Sequence, residues 1–212
     1  MGDFATSPAL LVSQPGLGPA TAEFRGFPFN PLLRSDDYLY IEQAAKEAFG
    51  SIEDERLKGS YHPLDELKEE TKKDSFSSMK FTFIIWVNGE DNLRFISMQK
   101  DGNIKEAFQR LTDGVKVCGK IPTIILHYGW LTFDPRNLGS TVRASAFVKL
   151  PQLSSRSDFK KVCEEHNIDV CKMDGSVCHV SNHQVLGVTE FEAVKQLYDG
   201  LKVLLEIEKS KP

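Results

Sequence analysis

Acidic and basic side chains lie close together between Glu90 and Arg94. Glu90 and Asp91 fall in the joint between two predicted strands, and Arg94 begins the second strand. A carboxylate held at a strand end can orient a cationic substrate, and an arginine there can clamp a phosphate. A solvated turn contains the same residue types, and this segment alone favours that simpler interpretation.

A nucleotide-binding loop is suggested by Gly114–Lys120, which matches G-x-x-x-x-G-K. The next residue is Ile121 rather than the Ser or Thr that holds magnesium in such loops. A predicted helix precedes the motif where a strand should, and Pro122 disfavours a helix after it. We therefore interpret these residues as a helix end, with Gly119 as its cap.

A zinc site is the second alternative, because Cys171, Cys178, His179 and His183 are all zinc-ligand types. Their spacing is not a common one. On a strand, the neighbours Cys178 and His179 would point to opposite faces. We expect a surface strand and turn here, and no metal site.

The composition is that of a globular domain with mixed charges. The chain has 212 residues, 41% of them hydrophobic, and a net charge of -4. A chain of this length can bury a core without disulfides or metals. The charge balance implies no broad cationic face, so nucleic acid is not the expected partner.

The sequence predicts a cytoplasmic protein. The longest apolar run, Phe83–Val87, is far shorter than the ~20 residues of a membrane helix. The acid Asp3 stands where a signal peptide would carry positive charge. It also argues against myristoylation at Gly2, although the start fits that pattern. Without a secretory signal, the four cysteines should mostly be free thiols.

Hydrophobic periodicity predicts an α+β fold, with an antiparallel sheet flanked by helices. Helices are predicted at 35–50, 64–73, 103–118, 157–165 and 190–208, the last capped by Thr189. Strands are predicted at 81–87, 93–99, 123–126, 130–133, 142–150, 168–171 and 176–180. Residues 1–24 are rich in Pro and Gly without periodicity and predict a flexible tail. Residues 25–212 form the predicted domain.

Several segments together resemble the catalytic domain of the phosphagen kinases, most closely the arginine kinase branch. They cover most of the chain from Arg25 to Glu208: 26–31, 57–61, 86–99, 131–139, 142–145, 150–162, 180–182 and 186–196. The resemblance implies a catalytic domain of the glutamine synthetase type. It also implies reversible phosphoryl transfer between Mg-ATP and a guanidino compound, in which alignment and charge neutralisation carry catalysis.

The resemblance assigns roles to four positions. Glu90 falls on the acid of the family's N-E-E-D stretch that contacts the guanidinium. Arg94 and Arg143 match phosphate-binding arginines. Asp134 stands where the family has a reactive cysteine, and its carboxylate could still attract a guanidinium.

Other positions depart from the family. Gly89 replaces an acid, Asn92 replaces a histidine, and Phe147 stands where a nucleotide-contacting histidine is expected. The connection between Val170 and Val177 is too short for the family's substrate loop, which supplies an arginine and a carboxylate. A segment before Phe81, the small N-terminal domain and an S-[ST]-R-V-R strand are also missing.

These departures leave two functions open. The chain is either an ATP:guanidino phosphotransferase, weak or inactive alone, or a non-catalytic pseudokinase or interaction protein that keeps the fold. Losing one preorganised charge contact costs roughly 10² to 10³ in rate, and several are missing. The gaps would also expose core surface, so low solubility or self-association is expected. A splice form or an incomplete gene model would explain the gaps equally.

Overall fold

A computed structural model describes residues 11–15, 30–63, 82–89, 91–99, 102–118, 132, 134–173 and 175–210. In these residues the chain forms a six-stranded sheet in the order β2-β3-β1-β4-β6-β5. Every neighbouring pair is antiparallel. The strands are β1 (Leu11–Pro15), β2 (Phe83–Val87), β3 (Leu93–Ser97), β4 (Arg143–Lys149), β5 (Ile168–Lys172) and β6 (Val177–Asn182).

The described helices are α1 (Ser35–Gly50), α2 (Ile104–Cys118), α3 (Phe159–Glu165) and α4 (Glu190–Lys209). Helix α4 begins with the predicted cap: Thr189 Oγ1 accepts a hydrogen bond from Glu192 N, and the Glu192 carboxylate accepts one from Thr189 N. This reciprocal pair satisfies two backbone donors that a helix start leaves unpaired. The predicted α+β architecture is confirmed.

The helices cover one face of the sheet, and the core lies between them. Leu93 and Phe95 of β3, alternate residues of β4, and one stripe of α4 meet there. The α4 stripe follows the predicted spacing through Val194, Leu197, Leu201 and Leu204. Phe191 was predicted to join it but is 62% exposed, because the first turn of α4 extends past the core.

Strand β1 differs from the sequence interpretation of residues 1–24. Residues 11–15 were placed in a tail without regular structure, yet they pair with β3 on one side and β4 on the other. The segment is too short for its alternation to be recognised, and Pro15 ends it. Both neighbours are hydrogen-bonded across it, so β1 is a central strand.

Two buried polar side chains hold the sheet, and neither was predicted. Arg110 of α2 is 4% exposed and donates to the backbone carbonyls of Thr82 and Met98. Asn182 is fully buried; its Oδ1 accepts from Ala144 N and its Nδ2 donates to Val142 O. Such bonds are costly to break, because each would leave a buried backbone group unpaired.

Of the remaining predicted elements, one is confirmed and three lie outside the described residues. The hairpin of β2 and β3, with its joint at 88–92, is confirmed. The predicted helix at 64–73 and the predicted strands at 123–126 and 130–133 lie outside the described residues. Cys163, Cys171 and Cys178 are free thiols, as expected. Among the described residues no helix is long and apolar enough to cross a membrane.

Replacing Gly200 by alanine should destabilise the fold. A Cβ at Gly200 would lie 2.5 Å from Ile168 Cδ1, so α4 or β5 must move. We expect a loss of about 1–3 kcal/mol in the free energy of unfolding, measured by urea denaturation. Gly50→Ala is the matched control, since nothing lies within 4 Å of a Cβ there. Equal stability of the two variants would contradict this packing.

Candidate nucleotide and phosphoryl-transfer site

Two of the four predicted site residues, Arg94 and Arg143, lie at the same end of the sheet. Strands β3 and β4 are both antiparallel to β1, so they run in the same direction on its two sides. Their first residues therefore lie at the same end, where β1 finishes. We call this the arginine end, formed by residues 92–94 and 141–143 together with Pro15.

Arg94 and Arg143 lie on the same face of the sheet. Arg94 stands between the core residues Leu93 and Phe95, and Arg143 precedes the core residue Ala144. Since side chains alternate along a strand, both arginines project from the face opposite the helices. Arg94 pairs with Pro15 and Arg143 pairs with Ser13. Strand spacing and rise then put their Cα atoms about 12 Å apart, a separation that two long cationic side chains can bridge around a polyphosphate.

Arg143 differs from other arginines in the chain. Its side chain is half-buried and makes no hydrogen bond or ion pair with the described residues. In contrast, Arg110 bonds Gln99 and Glu106, and Arg156 pairs with Asp158. A partly desolvated guanidinium without a protein partner is suited to an anionic ligand.

The joint between β2 and β3 contains a buried acid, Asp91, three residues before Arg94. Glu90 itself lies outside the described residues, but both flanking residues are described. Asn88 N donates to Asn92 O at 2.8 Å and closes the joint. Asp91 is only 3% exposed. A buried carboxylate is the kind of oxygen ligand that Mg²⁺ takes alongside substrate phosphates, so the residues present fit a Mg-nucleotide.

Gly89 lies against the indole of Trp86. A Cβ there would meet the ring at 3.6 Å, which is ordinary van der Waals contact. The fold therefore leaves room for a Cβ at Gly89, where the family resemblance implies an acid.

Asp134 begins the turn that leads into β4. Its backbone carbonyl accepts from Thr132 Oγ1 at 2.7 Å and from Asn137 N at 2.9 Å. The side chain is half-buried. These bonds fix the backbone of the turn that carries the Asp134 side chain, in the segment before Arg143.

The approach to β4 is tightly constrained. Gly139 has φ +113°, and a Cβ there would lie 2.5 Å from Val185 O. Ser140 N donates to the same carbonyl at 2.9 Å. Thr141 follows with φ +56°, a left-handed conformation that is rare for a β-branched residue. The residue types and spacing of Ser140 and Thr141 do not indicate a left-handed backbone or a fixed approach to β4, so the sequence predicts no role for them.

Further along β4, Phe147 packs against a histidine on β6. Its ring centroid lies 4.9 Å from that of His179, its cross-strand partner. Burial lowers the pKa of His179 below its ordinary value, so the ring is neutral near pH 7. Phe147 and His179 lie on the same face as Arg143, because β4 alternates.

The connection between β5 and β6 is a tight turn. Lys172 pairs with Cys178, and Met173 N donates to Val177 O at 2.9 Å. A connection this short projects only about 7 Å, even when extended. The substrate loop that the resemblance would place here is accordingly replaced by a hairpin turn.

The two alternative motifs find no support. Residues 114–118 belong to α2, and Gly114 packs against the Phe83 ring; Gly119 and Lys120 lie outside the described residues. Cys178 is buried in the core, whereas His179 lies on the other face. No group of three or more His, Cys, Asp or Glu that could hold a metal occurs within the described part of the chain.

Comparison with known proteins decides the family. Residues 75–211 match the family model described as ATP:guanido phosphotransferase, C-terminal catalytic domain. The chain belongs to the ATP:guanido phosphotransferase family. An arginine kinase of Amphioctopus fangsiao is 36% identical over 98% of this chain and 70% of its own length. A probable arginine kinase of Caenorhabditis elegans is 40% identical over 88% of this chain, which spans 62% of that relative.

Solved structures agree with this family. A taurocyamine kinase of Schistosoma mansoni superposes with a TM-score of 0.85 at 27% identity, over 100% of this chain and 36% of its own. A lombricine kinase gives a TM-score of 0.85 at 24% identity, over 99% of this chain and 68% of its own. This ATP:guanido phosphotransferase chain is thus covered almost completely by the catalytic fold, but it is shorter than its relatives.

The half-buried His179 should make stability fall in mild acid. Burial holds the pKa of His179 in the folded chain below its ordinary value, so the unfolded chain takes up the proton first as pH drops. The free energy of unfolding should therefore decrease between pH 7.5 and 5.5, and less so in His179→Gln. Urea denaturation at both pH values measures this. His62→Gln, at an exposed position, should keep the wild-type slope; an unchanged slope in His179→Gln would refute the assignment.

Proposed function

We propose that this chain is a phosphagen kinase catalytic domain that binds Mg-ATP or Mg-ADP at the arginine end and reversibly transfers a phosphoryl group from Mg-ATP to a guanidino compound, leaving Mg-ADP. The observation that carries the proposal is Arg143, which is half-buried, has no partner among the described residues, and lies on the same sheet face as Arg94. Family membership supports the reaction class. The relatives named above act on arginine, taurocyamine or lombricine; we propose a guanidino compound of this class as acceptor.

The proposed chemistry is alignment and neutralisation of charge. During phosphoryl transfer, negative charge spreads over the oxygens of the group in flight. Arg94 and Arg143 would hold those oxygens from two sides of β1, and Glu90 would orient the guanidinium for in-line attack. Asp134 would supply a second negative charge near the acceptor. The Asp91 carboxylate would hold Mg²⁺, directly or through water, against the phosphates.

A second candidate function is nucleotide binding with little or no turnover. The tight β5–β6 turn favours it, because no loop from that position can close over the substrate and exclude water. Gly89 favours it as well, since one carboxylate is missing. Both candidates require the arginine pair, so binding and turnover must be measured separately.

Mg-ADP titration into the purified chain tests the proposal first. We expect binding in the micromolar range, and a loss of about ten- to a hundredfold in Arg143→Ala, as for a charged hydrogen bond. Arg156→Ala is the control, because Arg156 pairs with Asp158 at the surface. Absence of heat with folded wild-type protein would refute nucleotide binding. Binding without phosphotransfer to any guanidino compound tested would leave only the second candidate.

Restoring the missing acid should improve turnover. A Cβ at Gly89 makes ordinary van der Waals contact with Trp86, and Gly89→Glu adds a carboxylate next to Glu90 and Asp91 in the sequence. We expect phosphotransfer to rise about tenfold, part of what one preorganised charge contact supplies. Gly59→Glu, at an open surface position, is the matched control. Equal rates in both variants would contradict a role for Gly89's position in the reaction.

The compartment and association state are further parts of the proposal. Free thiols at Cys163, Cys171 and Cys178 support a cytosolic location. Exposed apolar side chains at Leu186 and Phe191, 50% and 62% exposed, support self-association. Light scattering of the purified chain tests the latter, and a monodisperse monomer would overturn it.

A further inference from the structure

Three uncharged, buried side chains in or directly beside the arginine end have polar atoms without hydrogen-bond partners among the described residues. They are Asn92, Ser140 and Thr141, which are 2%, 3% and 0% exposed. Within the part of the chain that the structure describes, both amide atoms of Asn92, Ser140 Oγ and Thr141 Oγ1 lack a partner. A buried polar group left in this state costs about 1–3 kcal/mol. We call these three residues the polar shelf.

The polar shelf flanks the two arginines. Asn92 precedes β3 two residues before Arg94, and Thr141 precedes β4 two residues before Arg143. Both strands begin at the same end of the sheet, on the two sides of β1. Arg94 and Arg143 are themselves half-buried, so solvent reaches this end of the sheet beside the shelf.

The shelf is held in place by the backbone. The Ser140 amide is bound to Val185 O, and Asn182 bonds Val142 O on the other side of Thr141. Thr141 keeps its left-handed conformation between these two anchors. Sparsely populated backbone conformations cost about 1–3 kcal/mol and persist where the surroundings enforce them. The hydroxyls therefore stay in position without a ligand to order them.

The chemistry of the shelf suits an oxyanion. Hydroxyl groups and the Asn92 amide can donate hydrogen bonds and carry no charge. Next to two guanidinium groups, uncharged donors of this kind favour an anion with several acceptor oxygens. A tetrahedral phosphoryl group offers such oxygens in several directions.

We propose that Asn92, Ser140 and Thr141 form an oxyanion subsite of uncharged donors that binds a phosphoryl group between Arg94 and Arg143. This inference deepens the proposed function and rests on it for the natural ligand. The polar shelf would add hydrogen-bond donors at the site where the two arginines lie. The β5–β6 connection is too short to bring further donors over the sheet, so the shelf would supply donors that the connection cannot.

Thr141→Val separates this subsite from a structural role. Valine keeps the β-branched shape and removes the hydroxyl, so a buried orphan group disappears. We expect the thermal midpoint to stay equal or rise, and the affinity for inorganic pyrophosphate, measured by calorimetry, to fall about tenfold. Asn92→Leu should behave alike. Thr112→Val on α2, whose hydroxyl donates to Gln109 O, is the control and should leave pyrophosphate affinity unchanged.

Other outcomes would overturn the subsite. If ordered water satisfies the shelf, Thr141→Val lowers the thermal midpoint and leaves pyrophosphate affinity unchanged. If wild-type protein does not bind pyrophosphate, there is no oxyanion subsite. Parallel titration with Mg-ADP distinguishes the two proposals. Shelf-dependent pyrophosphate binding without Mg-ADP binding would refute the proposed function alone, and Mg-ADP binding unaffected by either shelf variant would refute the subsite alone.

Discussion

The pairing of β1 with two strands at once is the constraint on which the sheet depends. The β2–β3 hairpin and the β4–β6–β5 group share no direct strand pairing among the described residues; β1 joins them. The same insertion places Arg94 and Arg143 at one end of the sheet, on one face. Removing β1 would separate the arginines as well as the halves of the core. Fold and candidate site therefore rest on the same five residues.

Near this strand, two buried polar side chains form hydrogen bonds with backbone groups that apolar side chains could not satisfy. The Arg110 guanidinium fixes the far end of the β2–β3 hairpin, and the Asn182 amide fixes the start of β4. Each satisfies backbone groups where regular pairing ends. The contrast with Arg143 is informative. The side chains of Arg110 and Asn182 form their hydrogen bonds with other residues of the protein. The half-buried Arg143 side chain forms none with the described residues.

Much of the fold could be predicted because helices and long strands carry periodic patterns. The bounds of α1, the β2–β3 joint and the Thr189 cap agree with the structure for this reason. Strand β1 could not be predicted, since five residues next to Pro and Gly carry little pattern and its pairing is set by distant partners. Phe191 was placed in the core because spacing gives the face of a helix but not where the core ends.

The candidate site was partly accessible from sequence. Arg94 and Arg143 follow from motif matches, and the sheet register brings them together. Their roles, and those of Glu90 and Asp134, remain predictions. The polar shelf could not be predicted, because a missing hydrogen bond and a left-handed threonine are properties of the folded chain. The sequence shows that Gly89 lacks the acid that the resemblance implies, and the structure adds that a Cβ would be accommodated there.

The central place of β1 also affects how the chain can be made. During synthesis residues 11–15 leave the ribosome before both of their strand partners, residues 93–97 and residues 143–149. At ~5–20 residues per second, the wait for β4 is on the order of ten seconds. Until then the nascent chain cannot close its sheet, and the β2–β3 hairpin presents an open edge that other chains can reach. Cotranslational protection by chaperones would matter most in that interval.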